Sequence, residues 1–224
     1  SWATRSVFAG NVEYNNPVHI VMPADRVKCH YERKSESGIL RPENSNLKPD
    51  SRILVIGPAW VGDMVMAHSL FQQLHRHRAV VDVLAPAWTL PLLARMPEVS
   101  EAMAVPFAHG RLDPGARFRM GRALRGRGYS QAIVIPRSFK AAVIPWLARI
   151  PRRTGYRGEW RYGLINDMRP LDKSVLTQTA QRYVALGLEP GADLPPREIP
   201  PPRLIVDIAN QSRAVRALGV PGGC

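Results

Sequence analysis

The chain has 224 residues, 45% of them hydrophobic and 22% charged, a composition that is typical of a folded globular protein and excludes a disordered or fibrous one. Lysine and arginine outnumber aspartate and glutamate by 31 to 18, and this formal charge of +13 favours an anionic partner, whether nucleic acid, an acidic membrane surface or a phosphorylated substrate. The two cysteines form no CxxC pair and no apolar run is long enough to cross a bilayer, so we expect no metal site and a soluble protein of the cytoplasm.

Residues 1–51 show no regular pattern of apolar residues. Asn15, Pro17, Ser35, Pro42 and Pro49 interrupt every candidate helix or strand in this stretch. We interpret residues 1–51 as an unpatterned leader that is disordered or foreign to the folded domain.

A β-loop-α-β unit begins directly after the leader. Ile53–Ile56 is a short aliphatic run of the kind that forms a strand buried on both faces. After a loop, Asp63 opens a predicted helix that continues to about His77, and Val80–Leu84 forms the second strand. One face of the helix carries an apolar stripe of Met64, Ala67, Leu70, Phe71 and Leu74. Two adjacent parallel strands are therefore predicted.

The alternation of helices and strands continues to about residue 190. Further helices are predicted over residues 90–95, 116–127, 139–150 and 174–186, and further strands over residues 101–105, 131–135 and 153–156. Gly187 is interpreted as the C′ residue of the last of these helices. The three histidines of the first helix, His68, His75 and His77, are interpreted as surface residues.

This order predicts an α/β fold, a Rossmann-like parallel sheet flanked by helices, over residues 52–190. Residues 191–224 are predicted to hold a proline-rich linker, a short helix and the truncated start of a further domain.

The loop after the first strand is the first place to search for a site, because ligands of parallel sheets lie at the carboxyl ends of the strands. Gly57 and Gly62 have the spacing of a phosphate-binding loop, but Asp63 stands where such a loop needs lysine. The GxGxxG motif of dinucleotide sites is absent as well. Two roles for Asp63 stay open from its position: a general base for an attacking hydroxyl, or a simple helix N-cap.

The same loop opens a series of motifs that resembles the ADP-heptose:lipopolysaccharide heptosyltransferases of glycosyltransferase family 9, in particular those that add the second heptose. The resemblance covers residues 52–190 and rests on the segments 53–64, 82–88, 91–99, 136–140, 152–167 and 171–173. Residues 1–51 do not share it.

This resemblance implies the N-terminal half of a GT-B enzyme, which has two Rossmann-like domains and inverts the sugar without an essential metal or cofactor. It implies Asp63 as the catalytic base and a phosphorylated Kdo-lipid A heptose as the acceptor. The ADP-heptose donor is expected to bind mainly through the missing second domain. The enzyme is expected in the cytoplasm, in peripheral contact with the inner face of the inner membrane.

Candidate acceptor-binding residues follow from position and side-chain chemistry. Trp60 and Gly62 lie in the first loop beside Asp63, and Arg137 and Lys140 follow a strong strand at its carboxyl end. Aromatic residues among charges suit sugar faces and hydroxyls. On that ground we add Arg157, Trp160, Arg161 and Tyr162.

Two other functions stay open. An inactive acceptor-binding fragment is the first, because the motifs of a nucleotide-sugar domain do not appear. A nucleic-acid-binding protein is the second, although it rests on charge alone and we expect no nucleic-acid partner. For membrane contact, the sequence offers the helix 139–150, with Ile144, Trp146 and Leu147.

Overall fold

The computed structural model describes residues 50–105 and 113–218, so most of the predicted leader lies outside the described residues. Within these ranges the strands are β1 (Arg52–Ile56), β2 (Val80–Ala85), β3 (Val99–Ala104), β4 (Tyr129–Val134), β5 (Arg152–Tyr156) and β6 (Asp167–Arg169). The helices are α1 (Val61–Arg76), α2 (Leu90–Leu93), α3 (Pro114–Leu124), α4 (Phe139–Leu147), α5 (Thr179–Leu186) and α6 (Ile208–Ala217). None of the helices in this part of the chain is long and apolar enough to cross a membrane.

The strands form one parallel sheet in the order β3-β2-β1-β4-β5-β6. This order is that of the doubly wound Rossmann fold, which confirms the predicted fold class. The strand order reverses between β1 and β4: the chain adds strands toward one edge from β1 to β3 and toward the other edge from β4 to β6. A crevice opens at this point, at the carboxyl ends of the strands. Only β6 was not predicted from the sequence.

Each face of the sheet is covered by a separate apolar core. Ile53 and Val55 of β1 point to the face covered by α1 and α5, whereas Leu54 and Ile56 point to the face covered by α3 and α4. All four side chains are buried, as the sequence predicts for a strand with helices on both sides. The predicted stripe of α1 is confirmed, since each of its five apolar side chains is fully buried.

The start of α1 differs from the prediction. The helix begins at Val61 with Trp60 in the N-cap position, and the Met64 amide donates to the Trp60 carbonyl. Asp63 is the third residue of the first turn, so the N-cap interpretation of Asp63 is wrong. Its side chain is not needed to close the helix end and is left for other contacts.

The prediction of a surface position for His68 is wrong. His68 is fully buried, and its Nδ1 accepts a hydrogen bond from the Arg203 amide at 3.2 Å. Its Nε2 must then carry the proton, which it donates to the Glu98 carboxylate at 2.7 Å. Gln72 similarly donates to the Pro201 carbonyl at 2.8 Å. The predicted proline-rich linker therefore has no regular secondary structure, but hydrogen bonds between its backbone and the side chains of His68 and Gln72 hold it against α1.

Helix α5 begins at Thr179, five residues later than predicted. Gln178 caps it, because the Gln178 amide donates to the Gln181 side chain at 2.9 Å in a reciprocal capping box. Gly187 ends the helix in a right-handed conformation, with φ −84°. Gly187 is the C-cap residue, one position before the predicted C′ position. A Cβ at Gly187 would lie 2.6 Å from Leu70, so the glycine permits close packing of α5 on α1.

Candidate active site

A cavity of about 320 Å³ lies at the carboxyl edge of the sheet, where the strand order reverses. Its walls come from residues just after β1, β2, β3 and β4, together with the start of α1 and parts of α3, α4 and α5. The lining residues that this site uses are Trp60, Asp63, Trp88, Arg117, Lys140 and Tyr183. The cavity therefore lies where open α/β sheets bind their ligands.

Asp63 is half-buried at the mouth of the first loop and is the acidic residue of the cavity lining among the described residues. The Tyr183 hydroxyl, from α5, interacts with its carboxylate. Burial first, and then the charge and hydrogen bonding of Asp63, raise the pKa of Tyr183 to about 12, against an opposing effect of Arg182. The phenol therefore stays protonated at neutral pH and is a neutral neighbour of the Asp63 carboxylate.

The first loop is held open to solvent beside this carboxylate. Trp60 lines the cavity with 76% of its surface exposed. Gly62 has no atom within 4 Å of the position that a Cβ would take, so a ligand can approach its backbone. The Trp88 indole donates to the Ala59 carbonyl at 3.0 Å and ties the loop to the segment after β2. Trp88 and Tyr183 are cavity residues that the sequence motifs did not predict.

Positive charge reaches the opposite side of the cavity through α3 and α4. Lys140 lines the cavity, and the Arg117 guanidinium donates to the Lys140 carbonyl at 2.8 Å. Arg117 is only 4% exposed, and this burial lowers its pKa from the usual value of an arginine, with an opposing effect of Asp113. Arginine stays cationic in proteins, so the cavity wall keeps a buried positive charge.

Arg117 could have been found from helical spacing. It lies on the same face of α3 as Gly121 and Leu124, four and seven positions further on, and all three are buried. The sequence did not predict the burial of Arg117, because Arg117 belongs to a run of arginines whose composition is typical of a solvent-exposed helix face.

The remaining predicted site residues lie outside the cavity lining. Arg137 is exposed after β4, and Arg157, Trp160 and Tyr162 are exposed in the loop after β5, with Trp160 86% and Tyr162 63% accessible. This loop lies against Arg137, because the Glu159 amide donates to the Arg137 carbonyl at 3.2 Å. The structure therefore brings Asp63, Trp60 and Lys140 together and leaves these four side chains on the surface.

Arg161 differs from the other predicted acceptor-binding residues because its side chain is fully buried. It donates from Nη1 to the Pro136 carbonyl at 2.7 Å and from Nη2 to the Tyr156 carbonyl. These bonds fasten the loop after β5 to the cavity wall at Pro136. The structure thus assigns Arg161 a role in positioning the loop, and contact with an acceptor would require it to leave this place.

A search of the described ranges for clusters of three or more histidine, cysteine, aspartate or glutamate side chains that could hold a metal finds none. The chemistry available in the cavity is that of a carboxylate, a phenol, two cations and two indoles. A carboxylate can accept a proton from a hydroxyl, and cations can bind phosphate or carboxylate groups.

A parallel sheet of this strand order, flanked by helices, defines an α/β fold of the kind found in one half of a GT-B glycosyltransferase. Residues 117–221 match the model of glycosyltransferase family 9 (heptosyltransferase). Lipopolysaccharide heptosyltransferase 2 of Salmonella typhimurium is 52% identical over 155 residues, which are 68% of this chain and 44% of that protein. The corresponding protein of Escherichia coli K12 is 50% identical with the same coverage. The chain belongs to glycosyltransferase family 9.

A solved structure supports the same assignment. The structure of E. coli ADP-heptose lps heptosyltransferase II aligns with a TM-score of 0.67 at 42% identity, over 76% of this chain and 51% of that chain. This match confirms the family and fold that the sequence motifs predicted. The chain spans less than half the length of the curated relatives that it matches.

Proposed function

We propose that this chain carries the acceptor side of an enzyme that transfers L-glycero-D-manno-heptose from ADP-heptose to the first heptose of the lipopolysaccharide inner core. The observation that carries the proposal is the Asp63 carboxylate, which lines an open cavity at the carboxyl end of β1. The names of the relatives support the sugar and the acceptor class. We place the enzyme in the cytoplasm, in peripheral contact with the inner face of the inner membrane.

The proposed reaction is a single displacement with inversion. Asp63 accepts the proton of an acceptor hydroxyl as that oxygen forms a bond to the anomeric carbon of ADP-heptose. The bond from that carbon to the diphosphate breaks on the opposite face, and ADP leaves with the electron pair. A base in this position contributes about 10²–10⁴-fold in rate. Tyr183 lines the same cavity, and its phenol lies near enough to interact with the Asp63 carboxylate.

The acceptor is proposed to bind with its sugar near Trp60 and its anionic groups near Lys140. The exposed indole of Trp60 offers an apolar surface beside Asp63 on which a sugar ring can pack. The ammonium group of Lys140 and the buried charge of Arg117 suit the phosphates and carboxylates of Kdo-lipid A. Arg137, Arg157, Trp160 and Tyr162 stay predictions for the outer part of the acceptor, since they are exposed outside the cavity.

An acceptor-binding chain without transferase activity is the second candidate. It is the alternative that stays open from the sequence motifs, and the chain covers 44% of the Salmonella relative. Binding of the acceptor and transfer to it must therefore be measured separately.

The test compares the unaltered chain with Asp63→Asn, with Asp193→Asn as the matched control. Asp193 is an exposed carboxylate whose partner is Arg197, outside the cavity lining. Heptose transfer is followed by mass spectrometry of the acceptor, and acceptor binding by calorimetry. We expect Asp63→Asn to lower the transfer rate at least about 100-fold, with acceptor affinity retained.

Each outcome decides between the candidates. Equal transfer rates for Asp63→Asn and the control would remove Asp63 as the base. Acceptor binding that Lys140→Glu abolishes, without transfer by the unaltered chain, would establish the second candidate. Neither binding nor transfer by the unaltered chain would overturn both.

A further inference from the structure

The surface between α3 and α4 is an open apolar groove of about 540 Å³. Three aromatic side chains border it while remaining accessible: Phe118 is 51% exposed, Phe139 41% and Trp146 47%. We call this groove and its aromatic rim the α3–α4 face. Its size and its cluster of large exposed rings are unusual for a surface that faces only water.

Helical spacing shows that the α3–α4 face is continuous. Phe139, Val143 and Trp146 follow each other at four and three positions along α4 and all line the groove. The opposite side of α4 faces the sheet, where Ile144 is 2% exposed. The prediction that Ile144 contacts a membrane is therefore wrong, whereas Trp146 and Leu147 do lie on the outer side.

The apolar groove is bordered by positive charge. Residues 114–127 contain five arginines and no acidic residue. Phe118 and Arg122 are one helical turn apart and both exposed, and Arg119 is exposed beside them. The acidic residues closest in sequence are occupied within the protein, because Asp113 caps α3 and Glu159 accepts from the Phe139 amide at 2.8 Å.

We propose that the α3–α4 face binds the surface of an anionic lipid bilayer, with its aromatic rings in the interfacial layer and Arg119 and Arg122 on the lipid phosphates. Aromatic rings beside arginines are the combination that holds proteins at an acidic membrane surface. Duplex nucleic acid would match the charge but would leave the apolar groove uncovered.

This orientation would present the cavity to molecules held in the same bilayer. Arg117 and Lys140 line both the α3–α4 face and the cavity of Asp63, so the two are adjacent. The inference deepens the proposed function, because it explains how a lipid-linked acceptor reaches Asp63. Its test uses neither acceptor nor donor, so its failure is distinguishable from failure of the proposed reaction.

The experiment measures co-sedimentation of the 224-residue chain with vesicles of phosphatidylethanolamine and phosphatidylglycerol, and with neutral phosphatidylcholine vesicles. The charge variant is Arg119→Glu/Arg122→Glu. Its matched control on α6 is Arg213→Glu/Arg216→Glu, with the same spacing, the same charge change and an arginine likewise in the last helical turn.

The apolar variant is Phe118→Ser/Trp146→Ser. Its control on α6 is Ile208→Ser/Leu218→Ser, which removes side chains that are 68% and 77% exposed. Circular dichroism of every variant is the check that its secondary structure matches that of the unaltered chain.

We expect the unaltered chain to prefer the anionic vesicles. The charge variant should bind them at least about 25-fold more weakly, because each of the two arginines contributes about fivefold at the membrane surface and the new glutamates are repelled by the lipid phosphates. The apolar variant should lose at least about tenfold, because its rings no longer enter the interface. Both α6 controls should bind like the unaltered chain.

Three results would overturn the inference. The first is equal binding by the unaltered chain and both α3–α4 variants. The second is tighter binding to duplex DNA than to anionic vesicles at the same salt concentration. The third is concentration-dependent dimerisation that Phe118→Ser/Trp146→Ser abolishes, since the groove would then be covered by a second copy of the chain.

Discussion

Replacing Arg161 with methionine tests whether this side chain holds the loop after β5 or binds a ligand. The guanidinium is fully buried and donates to the carbonyls of Pro136 and Tyr156. Methionine fills a similar volume but donates no hydrogen bond, so both bonds are lost. The loop after β5 would then be joined to the segment after β4 only by its remaining bonds, such as that from the Glu159 amide to the Arg137 carbonyl.

The expected loss of stability follows from these contacts. A hydrogen bond from a charged donor contributes about 1.5–3 kcal/mol to the free energy of unfolding. We take the lower end for each bond, because Arg161 Nε is buried without a hydrogen-bond partner and burial itself lowers the pKa of Arg161. Two bonds then give a destabilisation of about 3 kcal/mol.

Urea unfolding followed by circular dichroism measures this difference. Arg161→Met should lower the midpoint with an unchanged m-value, since the same surface is exposed on unfolding. Arg157→Met is the control, because Arg157 is exposed on the same loop and should change the free energy by less than about 0.5 kcal/mol. An unchanged midpoint for Arg161→Met would refute the positioning role, and a loss of acceptor affinity at unchanged stability would restore the predicted binding role.

Two further predictions concern the scaffold around the site. Gly121→Ala should lower the free energy of unfolding in urea by about 1–2 kcal/mol, because its Cβ would lie 2.5 Å from Leu147 Cβ. The control Gly126→Ala should be nearly neutral, because its Cβ would have no neighbour within 4 Å. Equal unfolding midpoints for the two variants would contradict the tight α3–α4 packing. Burial alone would raise the pKa of Asp167, but hydrogen bonds led by that from Arg169 lower it below 3.8. The ionised carboxylate is therefore stabilised in the folded state, so the stability advantage of the unaltered chain over Asp167→Asn should be constant above about pH 5 and shrink as the pH falls below about 4. An advantage that did not shrink in acid would show that ionised Asp167 is not the source.

The class of fold and the place of the site could be predicted because they depend on local patterns. A strand covered on both faces needs an uninterrupted apolar run, and Ile53–Ile56 has one. A helix on one face of a sheet needs a stripe of 3.6-residue period, and α1 has one. Once strands and helices alternate, the parallel sheet and the carboxyl-end crevice follow, and Asp63 is placed beside that crevice.

Short elements escaped prediction because their sequence holds too little pattern. β6 is only Asp167–Arg169, with no apolar run, and it becomes a strand by pairing with β5. The late start of α5 likewise depends on the capping box of Gln178 and Gln181, which is only one of several starts that the residues after Ser174 allow.

The alternation of buried strands and amphipathic helices can thus be predicted from the sequence, because this information lies within a few neighbouring residues. Which polar side chains are interior depends instead on the folded arrangement of distant segments. His68 is enclosed by Glu98 and the Arg203 amide, and Arg161 by the Pro136 carbonyl, across sequence separations of 25 to 135 residues. A polar side chain can be buried only where folding supplies its hydrogen-bond partners, and partners this distant in sequence leave no local pattern.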